Sequence, residues 1–484
     1  LRPGMDSMTS RTMHAALAAA LAFGLTATPA LAAPAPSADH PEPSSTHAVI
    51  DRQYADFLSE MPQIVTLLGL PGAEEAAHRL DDLSTGRRQV LRGRMQDYLA
   101  ELQAIDRSQL AGQERLSLDS AIWMYERQLE LMSPDWAVSW LPMSGMYAVD
   151  HLFGVPTTLV QFLTEQHAIR SVADAEAYLS RLHATGTQLD QVIDNFELQR
   201  SHGVLPPRAS LESLAGQLRT LLAPAPSNSV FVASMARRMD AVDGITPDAR
   251  QDLLARAAAA VGSSVQPGYS RLLARVEDAL QEQEDNHGVW ALPGGDAFYD
   301  AALRWNTSTG LDADAIHAIG LEEVARIERE MDAILRGQGL TDGSVADRVR
   351  ALQVDPAHTY SNDQAGRDAV MADIQAALDR IEPHLDEWFG RRPDAPLEVR
   401  PVPDHAQGSA PGGYYFPPAL DGSRPGVFYI NLGTMDHARW ALPTLAYHEG
   451  APGHHFQIAL GQSLTGLPLM RRTLNPSASS EGWA

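Results

Sequence analysis

The stretch Tyr447-His448-Glu449-Gly450-Ala451-Pro452-Gly453-His454-His455-Phe456-Gln457 decides how the chain is read. A His-Glu pair followed by further His about two helical turns on is the residue order of a helix-borne zinc hydrolase, and Glu481 lies where a third ligand would come. Zinc in such a site takes three protein ligands and keeps one position for water, whose proton a neighbouring carboxylate removes. Glu449, next to His448, has that place. The usual second His falls four residues after the first. Here that position is Pro452, whose ring clashes with the carbonyl four residues back, so the helix must kink or bulge. On an undisturbed helix His455 returns to within about 20° of His448, whereas His454 lies about 120° away. A bulge absorbing Pro452-Gly453 would bring His454 round instead. That is the preferred reading, with His455 as an outer or substrate-facing group.

Just upstream the texture is not helical. Leu397 to Pro403 is short and extended. Residues 408–418, which include Pro411-Gly412-Gly413-Tyr414-Tyr415, are a run no helix could hold, and Asp421 to Gly426 reads as a turn. Val427 to Asn431 alternates as a strand, with Phe428, Ile430 and Leu432 toward the core and Val427, Tyr429 and Asn431 opposite. Pro443 suits the first turn of the motif helix. A strand leading into a metal helix suggests that a peptide is held against residues 427–431. Tyr414 and Tyr415 are candidates for oxyanion donors or for aromatic packing. Arg424, in an Asp-Gly-Ser-Arg-Pro turn, is expected in solvent, as are Asp404, His405 and His437. Ser409 and Ser423 lack a nucleophile-elbow pattern, which argues against a serine hydrolase.

Before residue 395 the period is helical. Leu321, Val324, Ile327, Met331, Ile334 and Leu335 form one stripe, expected to be core, with Gly337 closing the helix. Similar stripes run through 88–105, 113–132, 172–198, 248–283 and 363–386, separated by Pro/Gly punctuation such as Gly203 to Pro207. No fixed-period repeat marks a solenoid. The expected organisation is a mainly α, multi-helix region over 47–395 that walls a cleft. Residues 396–484 then carry a small β element beside the metal-binding helix.

The N-terminus has the pattern of a secretory signal over 1–32: Arg11, an apolar run from Ala15 to Leu25, and the small-x-small site Ala30-Leu31-Ala32. The run is too short and Ala-rich for a membrane span, and no Cys follows to take a lipid, so no stable membrane anchor is expected. A Pro/Ser-rich linker covers 33–46. Export to the periplasm or medium is the expected location. The 484 residues carry 37 basic and 61 acidic side chains, every basic one an Arg, for a net charge of −24. That balance excludes a nucleic-acid partner. With no Cys at all, any metal must be held by His and carboxylate.

The stretch 448–457, together with Pro411-Gly412-Gly413-Tyr414-Tyr415, Asp421 to Gly426 and Glu481-Gly482-Trp483-Ala484, resembles the bacterial domain-of-unknown-function 885 family, closely over 411–484 and loosely before it. That family is grouped with the gluzincin metallopeptidases. The resemblance implies a helical fold like that of thimet oligopeptidase, one Zn2+ held by His448, His454 and Glu481, Glu449 as base, and a peptide substrate. Family members normally continue well past Glu-Gly-Trp-Ala, so this stretch alone is expected to be inactive. A metal- or peptide-binding protein without turnover, or a zinc hydrolase of a non-peptide amide or ester, are the alternatives.

Overall fold

The computed structural model describes residues 45–138, 146–240, 242–283, 288–404, 406–408 and 410–484. The signal at 1–32 and the linker, apart from residues 45 and 46, lie outside the described residues, as do His405 and Ser409.

The fold is mainly α-helical with one small sheet, as the periodicity predicts. Helices α1 (Ser45–Ser59), α2 (Thr85–Gln103) and α3 (Gly112–Leu131) enclose one core around Tyr54, Met95, Leu118 and Met124. A second core is built by α4 (Val172–Ser201), α5 (Arg208–Leu222), α6 (Pro247–Ala260) and α7 (Gln266–Glu282). Leu182, Phe196, Leu211, Ala257 and Tyr269 are fully buried there. The single stripe read over 248–283 is two helices, α6 and α7, joined by a π-helical turn at Val261–Val265. Chain starts follow local chemistry. Ser171 accepts the Asp174 N–H at 3.1 Å and caps α4.

One helical stripe is not core. In α8 (Ala313–Gly337), Leu321, Val324, Ile327 and Ile334 are 60, 56, 43 and 64% exposed, and only Leu335 is buried. Amphipathic period reports which side of a helix is apolar, not whether anything lies on it. Among the described residues α8 packs chiefly on α9 (Val345–Val354). They join near the end of α8, where Arg348 bonds Asp332 and the Leu340 carbonyl.

The next helix, α10 (Gln364–Trp388), supports the sheet. Strands β1 (Leu397–Pro401), β2 (Gly413–Phe416) and β3 (Gly426–Ile430) lie in the order β1-β3-β2. β1 runs parallel to β3, with Val399 opposite Phe428, and β2 runs antiparallel, with Tyr415 opposite Phe428. The alternation holds. Phe428, Ile430 and Leu432 pack on Val370, Ile374 and Ala377 of α10, while Val427 and Tyr429 face the other way, onto Val402. Both faces of β3 are buried, because the reverse side is covered too.

One strand is added here and one expectation changes. Residues 413–416, inside the run that no helix could hold, are a strand, because pairing with β3 overrides the flanking Gly and Pro residues. β3 is the central strand, so both its edges are taken and no peptide can add to it. The edges left without a strand partner are the outer sides of β1 and β2. Four helices close the described chain: α11 (Leu442–Glu449), α12 (His454–Ser463), α13 (Leu469–Thr473) and α14 (Ser477–Trp483). Met470 of α13 reaches back into the first core, so residues after 395 share packing with the N-terminal helices.

Candidate metal centre

Pro452 does more than kink the motif helix. α11 stops at Glu449, a turn occupies 450–453, and α12 restarts at His454. The Gly450 N–H still bonds the Ala446 carbonyl at 3.0 Å, and the Gly453 N–H then crosses to the Tyr447 carbonyl at 2.9 Å. The chain folds so tightly there that a Cβ on Gly453 would sit 2.0 Å from the His448 carbonyl oxygen. This turn settles which imidazole meets His448. The His448 and His454 rings lie 4.5 Å apart at 74°.

Glu481 approaches from α14. Its Oε2 lies 3.7 Å from His448 Nε2 and its Oε1 lies 3.6 Å from His454 Nε2. One ligand atom from each of these three residues falls within 4.8 Å of the others. α14 is pinned by contacts the sequence reading did not assign. Trp483 donates its indole N–H to the Pro452 carbonyl at 2.6 Å. Its ring lies 6.1 Å from Phe389, which packs on Phe456 of α12. Gln457 donates to the carbonyl and hydroxyl of Ser479. The aromatic beside Glu481-Gly482 was the only sequence signal for this clasp.

Glu449 sits beside the cluster, 5% exposed. Burial, reinforced by the Glu481 carboxylate, pushes its pKa up to about 7, and the backbone N–H of Tyr415 holds it partly back. Burial also pushes the His454 imidazole below its ordinary value, against the pull of the Glu481 carboxylate, and so favours the neutral form that binds a cation.

His455 points elsewhere. Its Nε2 donates to the Ala395 carbonyl at 3.1 Å, which fixes the tautomer, and its Nδ1 accepts the Tyr415 hydroxyl at 3.1 Å. Gly426 leaves room for this pair, since a Cβ there would lie 2.6 Å from His455 Nδ1. Burial drives the His455 pKa down to about 4. His455 is therefore occupied at both nitrogens. Tyr415 spends its hydroxyl on His455, although its ring lies 6.5 Å from that of His454, nearly parallel to it. Tyr414, one residue earlier on the strand, necessarily faces the other side. There it stacks on Tyr429 at 5.0 Å and accepts from Gln161 at 3.0 Å. The Tyr415 O–H is therefore committed to His455, and Tyr414 lies on the opposite face of the sheet from Tyr415.

Two residues expected in solvent are held. Arg424 donates to the Pro417 and Leu67 carbonyls at 2.5 and 3.1 Å and lies over the Phe416 ring. Backbone carbonyls from the 417 loop and from the last turn of the Pro62–Leu68 helix gather round it, which a turn motif cannot foretell. His437 bonds the Asn431 carbonyl at 2.6 Å.

No curated protein matches the chain. Among solved structures, the "putative lipoprotein" from Colwellia psychrerythraea is 26% identical with a TM-score of 0.84, the match covering 90% of this chain and 76% of that one. A "putative lipoprotein of unknown function" from Shewanella oneidensis shares the fold at a TM-score of 0.56 and 13% identity, over 91% of this chain and 76% of that one. A family model spans residues 62–484, taking in both the helical body and the His/Glu cluster, and the chain belongs to that family, described as "Bacterial protein of unknown function (DUF885)".

Proposed function

We propose that this protein is an exported zinc-dependent peptidase, related to the gluzincins. His448, His454 and Glu481 hold the ion and Glu449 is the general base. The observation that carries the reading is the convergence, within 4.8 Å, of two imidazole nitrogens and a carboxylate oxygen brought from three helices. Two nitrogens and one oxygen are a donor set that zinc takes in catalytic sites.

His448, His454 and Glu481 would hold the zinc, which would supply a water of pKa about 7 and polarisation of a substrate carbonyl. Glu449 takes the proton of the attacking water and returns it to the leaving amine. Tyr415 fixes the base through its backbone N–H. The outer edge of β2 offers a peptide a strand to pair with. The Asn431 N–H bonds the Gly412 carbonyl, and in the alternating antiparallel pattern this turns the polar groups of Gly413 and the Tyr415 carbonyl outward, while the Tyr415 N–H is taken by Glu449. Export is supported by the signal pattern at 1–32 and by the lipoprotein descriptions of the two structural relatives.

The test combines metal content with turnover. Apo protein dialysed against zinc should retain one ion per chain. A thousandfold excess of zinc over its Kd should stabilise the protein by about 4 kcal/mol in thermal melts. The full gene product should hydrolyse a mixed peptide library and stop when chelator is added. Absence of zinc uptake would remove the reading, and uptake without hydrolysis would leave a metal-binding protein.

Tyr415→Phe separates two roles for that hydroxyl. Losing its bond to His455 should cost about 1 kcal/mol of stability and leave kcat within a few-fold. A drop of about 100-fold or more in kcat, the size seen when an oxyanion donor is removed, would return Tyr415 to the reaction.

A further inference from the structure

α12 carries two buried polar atoms that have no hydrogen-bond partner: His454 Nδ1 and Gln457 Oε1. Residues three apart on a helix share a face, and a buried polar atom is seldom left unpaired. The rest of each side chain is already committed. His454 turns its Nε2 to Glu481 Oε1 at 3.6 Å, so Nε2 is the ligand nitrogen and the ring proton resides on Nδ1, a donor. Gln457 places its Nε2 3.3 Å from the Ser479 carbonyl and 3.2 Å from the Ser479 hydroxyl. A carbonyl only accepts, so the amide nitrogen faces Ser479 and Oε1 is left to accept. Donor and acceptor are thus complementary. Ser479 also lies on α14, two residues before Glu481.

We infer that Gln457 is a positioning residue of the metal centre. Its Oε1 receives the Nδ1–H of His454 when Nε2 binds a divalent cation, and its amide nitrogen holds α14, the helix of Glu481. An acceptor on the far nitrogen fixes the tautomer and ring plane of a ligating imidazole and makes the ligating nitrogen more basic. One side chain therefore links two ligands that are 27 positions apart in the chain. The inference rests on the metal-site reading above and adds to it the residue that tunes affinity.

The test is zinc affinity of the 484-residue chain, measured by competition with a chromophoric chelator, in Gln457→Leu and Gln457→Glu. Both variants lose the donation to Ser479, but Glu still accepts from His454. Gln457→Leu should weaken zinc binding about 10- to 100-fold, while Gln457→Glu should stay within a few-fold of the unmodified protein. Equal weakening in both would mean that the Ser479 tie alone matters, and would overturn the acceptor role. Unchanged affinity in Gln457→Leu would overturn the inference as a whole while leaving the metal site standing. Failure of the unmodified chain to bind zinc would remove both.

Discussion

Glu449→Gln is expected to lower kcat of the full gene product by about 10²- to 10⁴-fold, the usual contribution of a positioned general base, and to leave zinc binding unchanged. Gln keeps the shape and can still accept the Tyr415 N–H, but it cannot take a proton. The carboxylate is not among the three converging ligand atoms, so zinc uptake has no reason to fall. The same substitution should raise the stability of the metal-free protein, with a defined pH dependence. Burial and the Glu481 charge raise the folded-state pKa of Glu449 from an ordinary 4.5 to about 7. Between those values the folded protein holds a proton that the unfolded chain has released, so stability falls as pH rises through the window. Below about pH 4.5 both states are protonated and the group contributes no difference. Gln has no proton to lose. The melting temperature of the variant should therefore match that of the parent near pH 4.5, pull ahead through pH 6, and reach its full advantage above pH 7. A variant that turns over normally would sink the base assignment. A constant offset across pH would show instead that Glu449 is not held in its neutral form.

The helical period located α4 over 172–201 to within a few residues, and the alternation at 427–431 gave the correct faces of β3. Both patterns are local and need only backbone geometry. What depends on distant partners was not legible. β2 is a strand because β3 lies beside it, and the Gly and Pro residues on either side mask its own strand-favouring Tyr-Tyr-Phe. The apolar stripe of α8 is as regular as that of a buried helix, yet its cover cannot be read from its own residues. At the site, the order His-Glu, His and late Glu sufficed to name the residues that meet. The choice between His454 and His455 depended on the path through Gly450 to Gly453, which no helical wheel contains. The bulge argument leaves His455 an outer or substrate-facing place, and its actual partners are illegible because Tyr415 and Ala395 are 40 and 60 residues away. Trp483 and Gln457 stand in the quoted motifs, but what they hold is visible only once α14 is seen against the turn.

That turn is the least replaceable part of the site, and Gly453→Ala should break it. A methyl group on residue 453 would meet two backbone oxygens, of His448 at 2.0 Å and of Tyr447 at 2.5 Å. No side chain can rotate out of the way, so the 450–453 segment must open, and the 2.9 Å bond from the Gly453 N–H to the Tyr447 carbonyl opens with it. Residue 453 immediately precedes His454, so the opening displaces a ligand directly. Overpacking of this kind typically costs about 1–3 kcal/mol. Zinc affinity should fall by about 100-fold or more, beyond the range typical of losing an outer-shell contact. Gly461→Ala provides the contrast. It lies in the same α12, a Cβ there would touch nothing within 4 Å, and Ala in a helix gains about 0.5–1 kcal/mol over Gly. Urea melts and chelator competition on the pair should therefore move in opposite directions for stability and diverge for zinc. If Gly453→Ala bound zinc as tightly as the parent, the close approach of His448 and His454 could not depend on the tight turn between them. The reason for preferring His454 over His455 would then be gone.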